Sequence, residues 1–295
     1  MAERLQAALQ RSGPDLFIPL SFGLARRMEQ ASWSELVEDP GLATFAIKSA
    51  EKVFLADGAI NWTDSWLEAE SAGLACERDD EGRVRAPPAP LSTPPDADAT
   101  LRGRPLENAI DVATRLCQQA GDHGLVIGYL TGPATATRRL FGEAPRDAKA
   151  AAEAIGRIAV ALSKAYCESG VSALLIVEEE PVADVAAVDA LAALFNLADY
   201  YGTMVIHVSR QPLPAAVAGS LAKQGARIVN APGATGAESG IIALPIGEAS
   251  VGECAALWRA GRDAGRRRLV ISDRDIPADT PPEDVIALAR TIKDR

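Results

Sequence analysis

The sequence predicts an α/β fold, a single (β/α)8 barrel of the TIM type, and three observations lead to it. Eight short apolar segments recur along the chain, helical patterns fit between most of them, and 295 residues suffice for one large core. No glycine-rich phosphate loop of the GxGxxG or Walker type follows any apolar segment, which removes the main support for an open doubly wound sheet. We therefore expect one barrel domain over residues 1–295.

The eight strand candidates are short and mostly continuous in apolar character, as is typical of parallel strands buried on both faces. They run over Leu16–Phe22, Ala59–Trp62, Leu125–Leu130, Ala173–Val177, Met204–Val208, Arg227–Asn230, Gly240–Leu244 and Leu269–Ile271.

Helix boundaries are indicated by capping residues and by changes in composition. Ser32 and Glu35 form a capping box before a helix that ends near Asp39–Pro40, and a long helix is expected over Asp147–Glu168. Between Cys76 and about Arg104 the sequence turns charged and then proline-rich, as in APPAPLSTPPDADAT, without periodicity. We expect an irregular Pro-rich excursion at about 76–104 that belongs to the same domain.

Charge and cysteine usage exclude several classes of protein. The net charge is −10 with a pI near 4.9, and no basic run outweighs this acidic background, so we expect no nucleic-acid partner. No apolar run approaches a membrane span, and the start of the chain lacks a signal pattern. The four cysteines are far apart and form no CxxC pair, which predicts a reduced, cytoplasmic chain without a membrane partner.

Polar residues follow most of the strand candidates, at the end of a barrel where active sites lie. They are Arg26 and Arg27 after the first strand, Asp64 after the second, Arg138 and Arg139 after the third, Glu178 to Glu180 after the fourth, His207, Ser209 and Arg210 at the fifth and Asp273, Arg274 and Asp275 after the eighth. The Gly-Pro break after the third strand begins a helix, and its N–H groups with Arg138 and Arg139 predict a carboxylate or phosphate site.

A structural role remains open for each of these candidates. Asp64 is either a functional carboxylate or a helix N-cap, and the arginines either bind an anion or face solvent. His207 is either catalytic or satisfied by a neighbour. The three glutamates form either a cation site or a solvated acidic edge.

Three sequence blocks resemble the uroporphyrinogen decarboxylase superfamily, which also contains the methylcobamide:coenzyme M methyltransferases. The blocks are DGAINWTDSWLEAESAG at Asp57–Gly73, VIGYLTGPATATRRLFG at Val126–Gly142 and DRDIPADTPPEDVIAL at Asp273–Leu288. Their order and spacing fit across most of the chain, and the middle block is the most specific. The resemblance implies a (β/α)8 barrel, in agreement with the strand count.

The resemblance also implies roles for individual residues. Asp64 matches the aspartate that coordinates pyrrole N–H groups in the decarboxylases, and Arg27 matches the second arginine of their R-Q-A-G-R segment. Arg139 stands in place of the family's tyrosine and Arg274 in place of a histidine. Tyr129, in the middle block, is a further substrate-binding candidate.

The zinc site of the methyltransferase branch is only partly present. That branch uses an H-x-C pair and a distant cysteine, whereas this chain has His207–Val208–Ser209 and Ser272. Serine is a poor zinc ligand, so we expect no tightly bound zinc, unless the glutamates after the fourth strand and His207 build a different metal site. No cofactor is expected.

These observations lead to one expected function and two alternatives. The first is a divergent decarboxylase-type lyase acting on an anionic, carboxylated substrate such as a tetrapyrrole. Asp64 and His207 would be catalytic, and the substrate would be held by Arg26, Arg27, Arg138, Arg139, Arg274 and Tyr129. The alternatives are a corrinoid- or folate-linked methyltransferase with a corrinoid protein as partner, and a barrel that binds a ligand without catalysis. The resemblance also implies a homodimer, the usual assembly of the decarboxylases.

Overall fold

The computed structural model describes residues 4–122, 124–230, 240–261 and 267–294, and it contains all eight predicted strands. The strands are Leu16–Phe17 (β1), Gly58–Ile60 (β2), Leu125–Thr131 (β3), Ala173–Glu178 (β4), Met204–Ser209 (β5), Arg227–Asn230 (β6), Ile241–Leu244 (β7) and Leu269–Ser272 (β8). They form two parallel sheets, one in the order β2-β3-β4-β5-β6 and one in the order β1-β8-β7.

Helices lie between most successive strands, as the α/β prediction requires. They are Arg4–Gln10 (α1), Phe22–Met28 (α2), Trp33–Glu38 (α3), Pro40–Val53 (α4), Leu67–Ser71 (α5), Ala97–Leu101 (α6), Arg104–Ala120 (α7), Pro133–Phe141 (α8), Ala148–Ser169 (α9), Val185–Asp189 (α10), Ala192–Tyr201 (α11), Ala215–Lys223 (α12), Val251–Ala260 (α13) and Pro282–Lys293 (α14). The capping box of Ser32 and Glu35 begins α3, which confirms that prediction.

Alternate residues of each strand enter two different apolar clusters. One cluster, the inner cluster, consists almost entirely of strand residues and draws on all eight strands. Among its members are Leu16, Ile60, Ile127, Leu175, Ile206, Val229, Ile241 and Leu269. The other, the outer cluster, joins strand residues such as Val126, Leu174 and Val205 to the apolar faces of the helices. Both faces of the strands are therefore buried, which explains their continuous apolar sequences.

The two sheets are joined beside β1 and β2 by a short set of hydrogen bonds. The N–H of Asp57 donates to the carbonyl of Phe17, and the N–H of Phe17 donates to Asp57 Oδ2, both at 2.8 Å. Within the described residues no ladder joins β6 to β7. The architecture is thus a parallel α/β fold in two sheets.

Two segments differ from the sequence prediction. The first strand ends at Phe17, and Phe22 instead begins α2, because the carboxylate of Asp275 accepts hydrogen bonds from the N–H groups of Phe22 and Gly23, both at 2.8 Å. The segment at 76–104 is not irregular throughout, since it contains α6 and an antiparallel bridge between Arg78 and Val84.

Cys76, Cys117, Cys167 and Cys254 are all free thiols. In the described ranges no helix combines the length and apolar character that crossing a bilayer requires.

Candidate functional site

Asp64 follows β2 and lies at the carboxyl ends of the strands, where only 9% of its surface is exposed. Its Oδ2 accepts a hydrogen bond from Arg78 Nη2 at 2.6 Å, and its Oδ1 accepts one from the N–H of Trp66 at 3.1 Å. Burial raises the pKa of Asp64 to about 6, and the positive charge of Arg78 opposes this rise. The carboxylate is therefore both a local backbone cap and a buried acid.

Arg78 is the partner of Asp64 that the sequence did not reveal, because it lies in the predicted excursion. Its Nε also pairs with Glu70 Oε1 at 2.8 Å, and its guanidinium lies 4.5 Å from the centre of the Trp33 ring. Only 10% of the side chain is exposed. The run ERDDEGRVR around it reads as a solvated charged loop, so no sequence signal distinguishes this arginine from Arg83 or Arg85.

Tyr129 on β3 shares the face of the inner cluster and is 5% exposed. Its hydroxyl makes no hydrogen bond within the described residues. Burial raises the pKa of this phenol well above its ordinary value, and nearby carboxylates raise it further. Those carboxylates belong to Glu179, Glu68, Asp64 and Asp275. The hydroxyl therefore stays protonated and can donate a hydrogen bond.

Asp275, in the loop after β8, accepts hydrogen bonds from the segments that follow β1 and β2. Besides the two N–H groups at the start of α2, it accepts a hydrogen bond from Thr63 Oγ1 at 2.8 Å. Burial raises the pKa of Asp275 to about 7, and its three donors oppose this rise. A Cβ on Gly23 would lie 2.7 Å from Asp275 Oδ2, so a larger residue at this position would displace the carboxylate.

Glu178 at the end of β4 fills the anion site that the sequence predicted at the start of α8. Its Oε1 accepts from the N–H of Ala134 at 3.0 Å, and its Oε2 accepts from Thr135 N at 2.9 Å and Thr135 Oγ1 at 2.8 Å. Arg138 and Arg139 lie in the last turn of α8, not the first. The helix start thus binds an internal carboxylate and leaves no place there for an external anion.

The two arginines of α8 pair with the remaining glutamates after β4. Arg139 contacts Glu179 at 2.7 Å and Glu180 at 3.3 Å, and its guanidinium lies 4.7 Å from the centre of the Trp66 ring. Arg138, whose side chain is 47% exposed, also reaches Glu180, at 3.4 Å. Glu179 accepts a further hydrogen bond from Ser65 Oγ. The positive charge that the sequence assigns to this edge is therefore balanced locally.

Arg26 and Arg27 are used within α2 and its surroundings. Arg26 is buried and donates to the carbonyl of Ala31 at 3.1 Å, while Arg27 donates to the carbonyl of Ala278 at 2.6 Å. Both guanidinium groups hold backbone carbonyls of neighbouring loops. The structure does not bring them to Asp64.

Arg274 after β8 pairs with acidic neighbours as well. Its Nε contacts Asp273 Oδ1 at 3.1 Å, and its Nη1 contacts Glu248. Burial raises the pKa of Asp273 to about 6, and the nearby charge of Arg210 opposes this rise.

Of the eight candidate site residues, the structure gathers Asp64 and Tyr129 with the carboxylates around them. We call the carboxyl ends of β2, β3, β4 and β8 with these side chains the strand-end site.

His207 lies apart from the strand-end site. It occupies the same face of β5 as Val205, which packs in the outer cluster with the helices, and its side chain is fully buried. Neither ring nitrogen has a hydrogen-bond partner among the described residues. Burial lowers the pKa of His207 to about 4.

Replacing His207 should change how stability depends on pH. Because the folded-state pKa lies below the unfolded value of about 6.5, stability from the neutral imidazole is fully present above pH 6.5 and is lost as the pH falls toward 4. Between pH 7 and pH 4.5 the parent should therefore lose about 2–3 kcal/mol more unfolding free energy than His207→Leu. Urea unfolding at both pH values measures this difference, and equal losses would contradict it.

The residues that match the zinc ligands of the methyltransferase branch do not form a zinc site. Ser209 Oγ donates to the carbonyl of Gln211 at 2.6 Å, and Ser272 Oγ accepts from the N–H of Leu20 at 2.8 Å. His207 faces the helices. Across the described ranges no group of three or more His, Cys, Asp or Glu side chains is arranged to hold a metal. The expectation of no tightly bound zinc stays a prediction.

The solved structures that resemble this chain include two that match it from end to end. A methyltransferase from Methanosarcina mazei matches with a TM-score of 0.74 and 15% identity, over 98% of this chain and 97% of that one. The homocysteine methyltransferase MmuM from Escherichia coli, in its apo form, matches with a TM-score of 0.55 and 17% identity, over 98% and 99% of the two chains. No family model and no curated protein matches the sequence. The chain therefore has the same fold as these two proteins.

Proposed function

We propose that this chain is a methyltransferase of the uroporphyrinogen decarboxylase superfamily and that its eight strands close into one barrel. Closure is supported by the inner cluster, to which all eight strands contribute, and by the hydrogen bonds between Asp57 and Phe17 beside β1 and β2. In such a barrel the strand-end site is the catalytic end.

The observation that carries the proposal is the acidic character of the strand-end site in a fold shared with two methyltransferases. The carboxylates around Tyr129 offer many hydrogen-bond acceptors, and Arg139 is already neutralised by two glutamates. Such a site disfavours a tetrapyrrole with several carboxylates, because like charges repel in a buried setting. It favours a methyl carrier that presents N–H or O–H groups, as a folate-type ring does.

The chemistry required of the protein is the handling of one proton. If the carrier is a corrinoid, cobalt would keep the electron pair and the acceptor thiol would release a proton. If it is a folate-type carrier, the nitrogen that releases the methyl group would keep the electron pair of the broken N–C bond and would take up a proton from an acid of the protein. Asp64, with a pKa of about 6, suits the role of that acid near neutral pH. The Tyr129 hydroxyl donates a hydrogen bond to the same atom and so stabilises the charge that develops on it.

The carrier supplies the labile methyl group and approaches from the carboxyl ends of the strands. A corrinoid protein is the macromolecular partner that fits this proposal, with a free folate-type carrier as the small-molecule counterpart. The fold neighbours support methyl transfer rather than decarboxylation.

Assays with free methyl carriers test the proposal. We expect the purified protein to transfer the methyl group of methyltetrahydrofolate to cob(I)alamin, or that of methylcobalamin to a thiol, as followed by the absorbance of the corrinoid. The Asp64→Asn variant provides the matched control for the site.

A parallel assay with uroporphyrinogen separates the two enzyme classes. Decarboxylated porphyrinogens, detected as fluorescent porphyrins after oxidation, in the absence of any methyl transfer would establish the lyase instead. If neither reaction occurs while one of these ligands binds with micromolar affinity, the barrel is a binding protein and the proposal is wrong.

A further inference from the structure

We propose that Arg78 is a positioning residue of the strand-end site, which fixes the direction of the Asp64 carboxyl group and favours the release of its proton. The inference rests on the proposed function, in which Asp64 handles the proton. The titration of Asp64 tests the role of Arg78 without any substrate.

Arg78 bridges two acidic residues that lie shortly before it in the chain. Its Nη2 lies 2.6 Å from Asp64 Oδ2, in the loop after β2, and its Nε lies 2.8 Å from Glu70 Oε1, on α5. The side chains of Arg78, Asp64 and Glu70 are 10%, 8% and 15% exposed, so solvent screens these contacts little. One arm of the planar guanidinium therefore binds Asp64, while its Nε anchors the group on Glu70 and so fixes its direction.

Arg78 is itself held in place by a short hairpin. The antiparallel bridge between Arg78 and Val84 closes this hairpin, and the Arg78 guanidinium donates to the carbonyl of Gly82 within it. Gly82 has a φ of +81°, and a Cβ there would lie 2.4 Å from the Trp33 ring, over which the guanidinium also stacks. The turn thus requires glycine, and the indole and the turn together fix the guanidinium.

Arg78 supplies a positive charge to a carboxyl group whose other titratable neighbours are not cations. Titratable side chains face Asp64 from α5, from the segment after it, from β3 and from the loop after β8. They are Glu68, Glu70, Cys76, Arg78, Tyr129 and Asp275. Arg78 is the cation among them. Without it, Asp64 would be buried among acids, and its proton would be retained at higher pH.

Arg78→Met tests this role because it keeps much of the side-chain volume and removes the charge. We expect the pKa of Asp64 to rise by about one to three pH units in this variant. The titration is followed by the NMR signal of the carboxyl carbon, which the Asp64→Asn variant assigns. The kcat of methyl transfer at pH 5, where Asp64 is mostly protonated in both proteins, should fall at least about tenfold because the acid loses its fixed direction, and the pH profile should be displaced to higher pH. Arg78→Lys, which keeps the charge but lacks the fork, should restore the titration more fully than the rate.

Arg83→Met is the matched control, since Arg83 lies in the same hairpin and pairs with Asp79 and Glu81 but is 72% exposed. It should leave the titration of Asp64 unchanged and the rate within about twofold of the parent. Thermal melting of all variants shows whether each one folds.

The outcomes separate this inference from the proposed function. If the parent shows no methyl transfer but Arg78→Met raises the pKa of Asp64, the positioning role stands and the proposed function fails. If folded Arg78→Met titrates as the parent does, the positioning role is wrong whatever the activity.

Discussion

Asp64→Asn is expected to lower the kcat of methyl transfer by about 10²–10⁴-fold and to leave KM within a few-fold of the parent value. An amide neither gives nor takes a proton at neutral pH, so the released atom must leave with its charge uncompensated. The substitution preserves shape, and its carbonyl oxygen still accepts the Trp66 N–H that Asp64 Oδ1 accepts in the parent. Initial rates over a range of carrier concentrations separate kcat from KM.

Folding should be retained in this variant, because Arg78 keeps Glu70 as its ionic partner. Asp79→Asn provides a control in the neighbouring hairpin, where Asp79 pairs with the exposed Arg83. Its rate should match that of the parent. A folded Asp64→Asn variant with parental kcat would show that another group handles the proton.

Glu178→Ala should lower the unfolding free energy by about 3–5 kcal/mol. The fully buried carboxylate accepts three hydrogen bonds at the start of α8, and its removal leaves two N–H groups and the Thr135 hydroxyl without that acceptor. It also opens a cavity beside Gly132, where a Cβ would lie only 2.2 Å from Glu178 Cδ. Urea unfolding followed by circular dichroism measures the loss of free energy. Thermal unfolding should show a drop in Tm of roughly 10 °C.

Glu143→Ala serves as the control for this measurement. Glu143 pairs with Arg138 near the other end of α8, but its side chain is 81% exposed, so its removal should change stability little. Glu178→Gln should fall between the two, because it fills the space but turns an amide donor toward one of the N–H groups. Equal stability of Glu178→Ala and Glu143→Ala would refute the assigned role of Glu178.

The strands were predictable because each one is buried on both faces and therefore apolar throughout. Local capping signals were equally informative, since Ser32 and Glu35 satisfy each other within four residues. The end of the first strand was not predictable, because the residue that starts α2 at Phe22 is Asp275, at the other end of the chain. Local sequence carries no trace of that contact.

The predicted site residues do not all come together in the structure. Asp64 and Tyr129 lie near each other among carboxylates, whereas Arg26, Arg27 and His207 lie elsewhere. The sequence predicts a positive cluster because Arg139 lies 40 residues before Glu179, the first charged residue that it contacts in the structure. Adjacent parallel strands bring Glu179 and Glu180 to Arg139, and pairing cancels the charge. Which charges pair depends on distances of a few ångströms that spacing along a chain does not fix.

The strand order bears on how the chain is made. Strands β2 to β6 follow one another in sequence and pair as neighbours, so each of them has its pairing partner next to it in the chain. β1 emerges before all of them, but its Leu16 and Phe17 pair with Leu269 and Val270 near the opposite terminus. During synthesis this apolar strand therefore lacks its pairing partner until β8, about 250 residues later, has been made. That interval is the period in which a nascent chain of this topology most needs protection from aggregation.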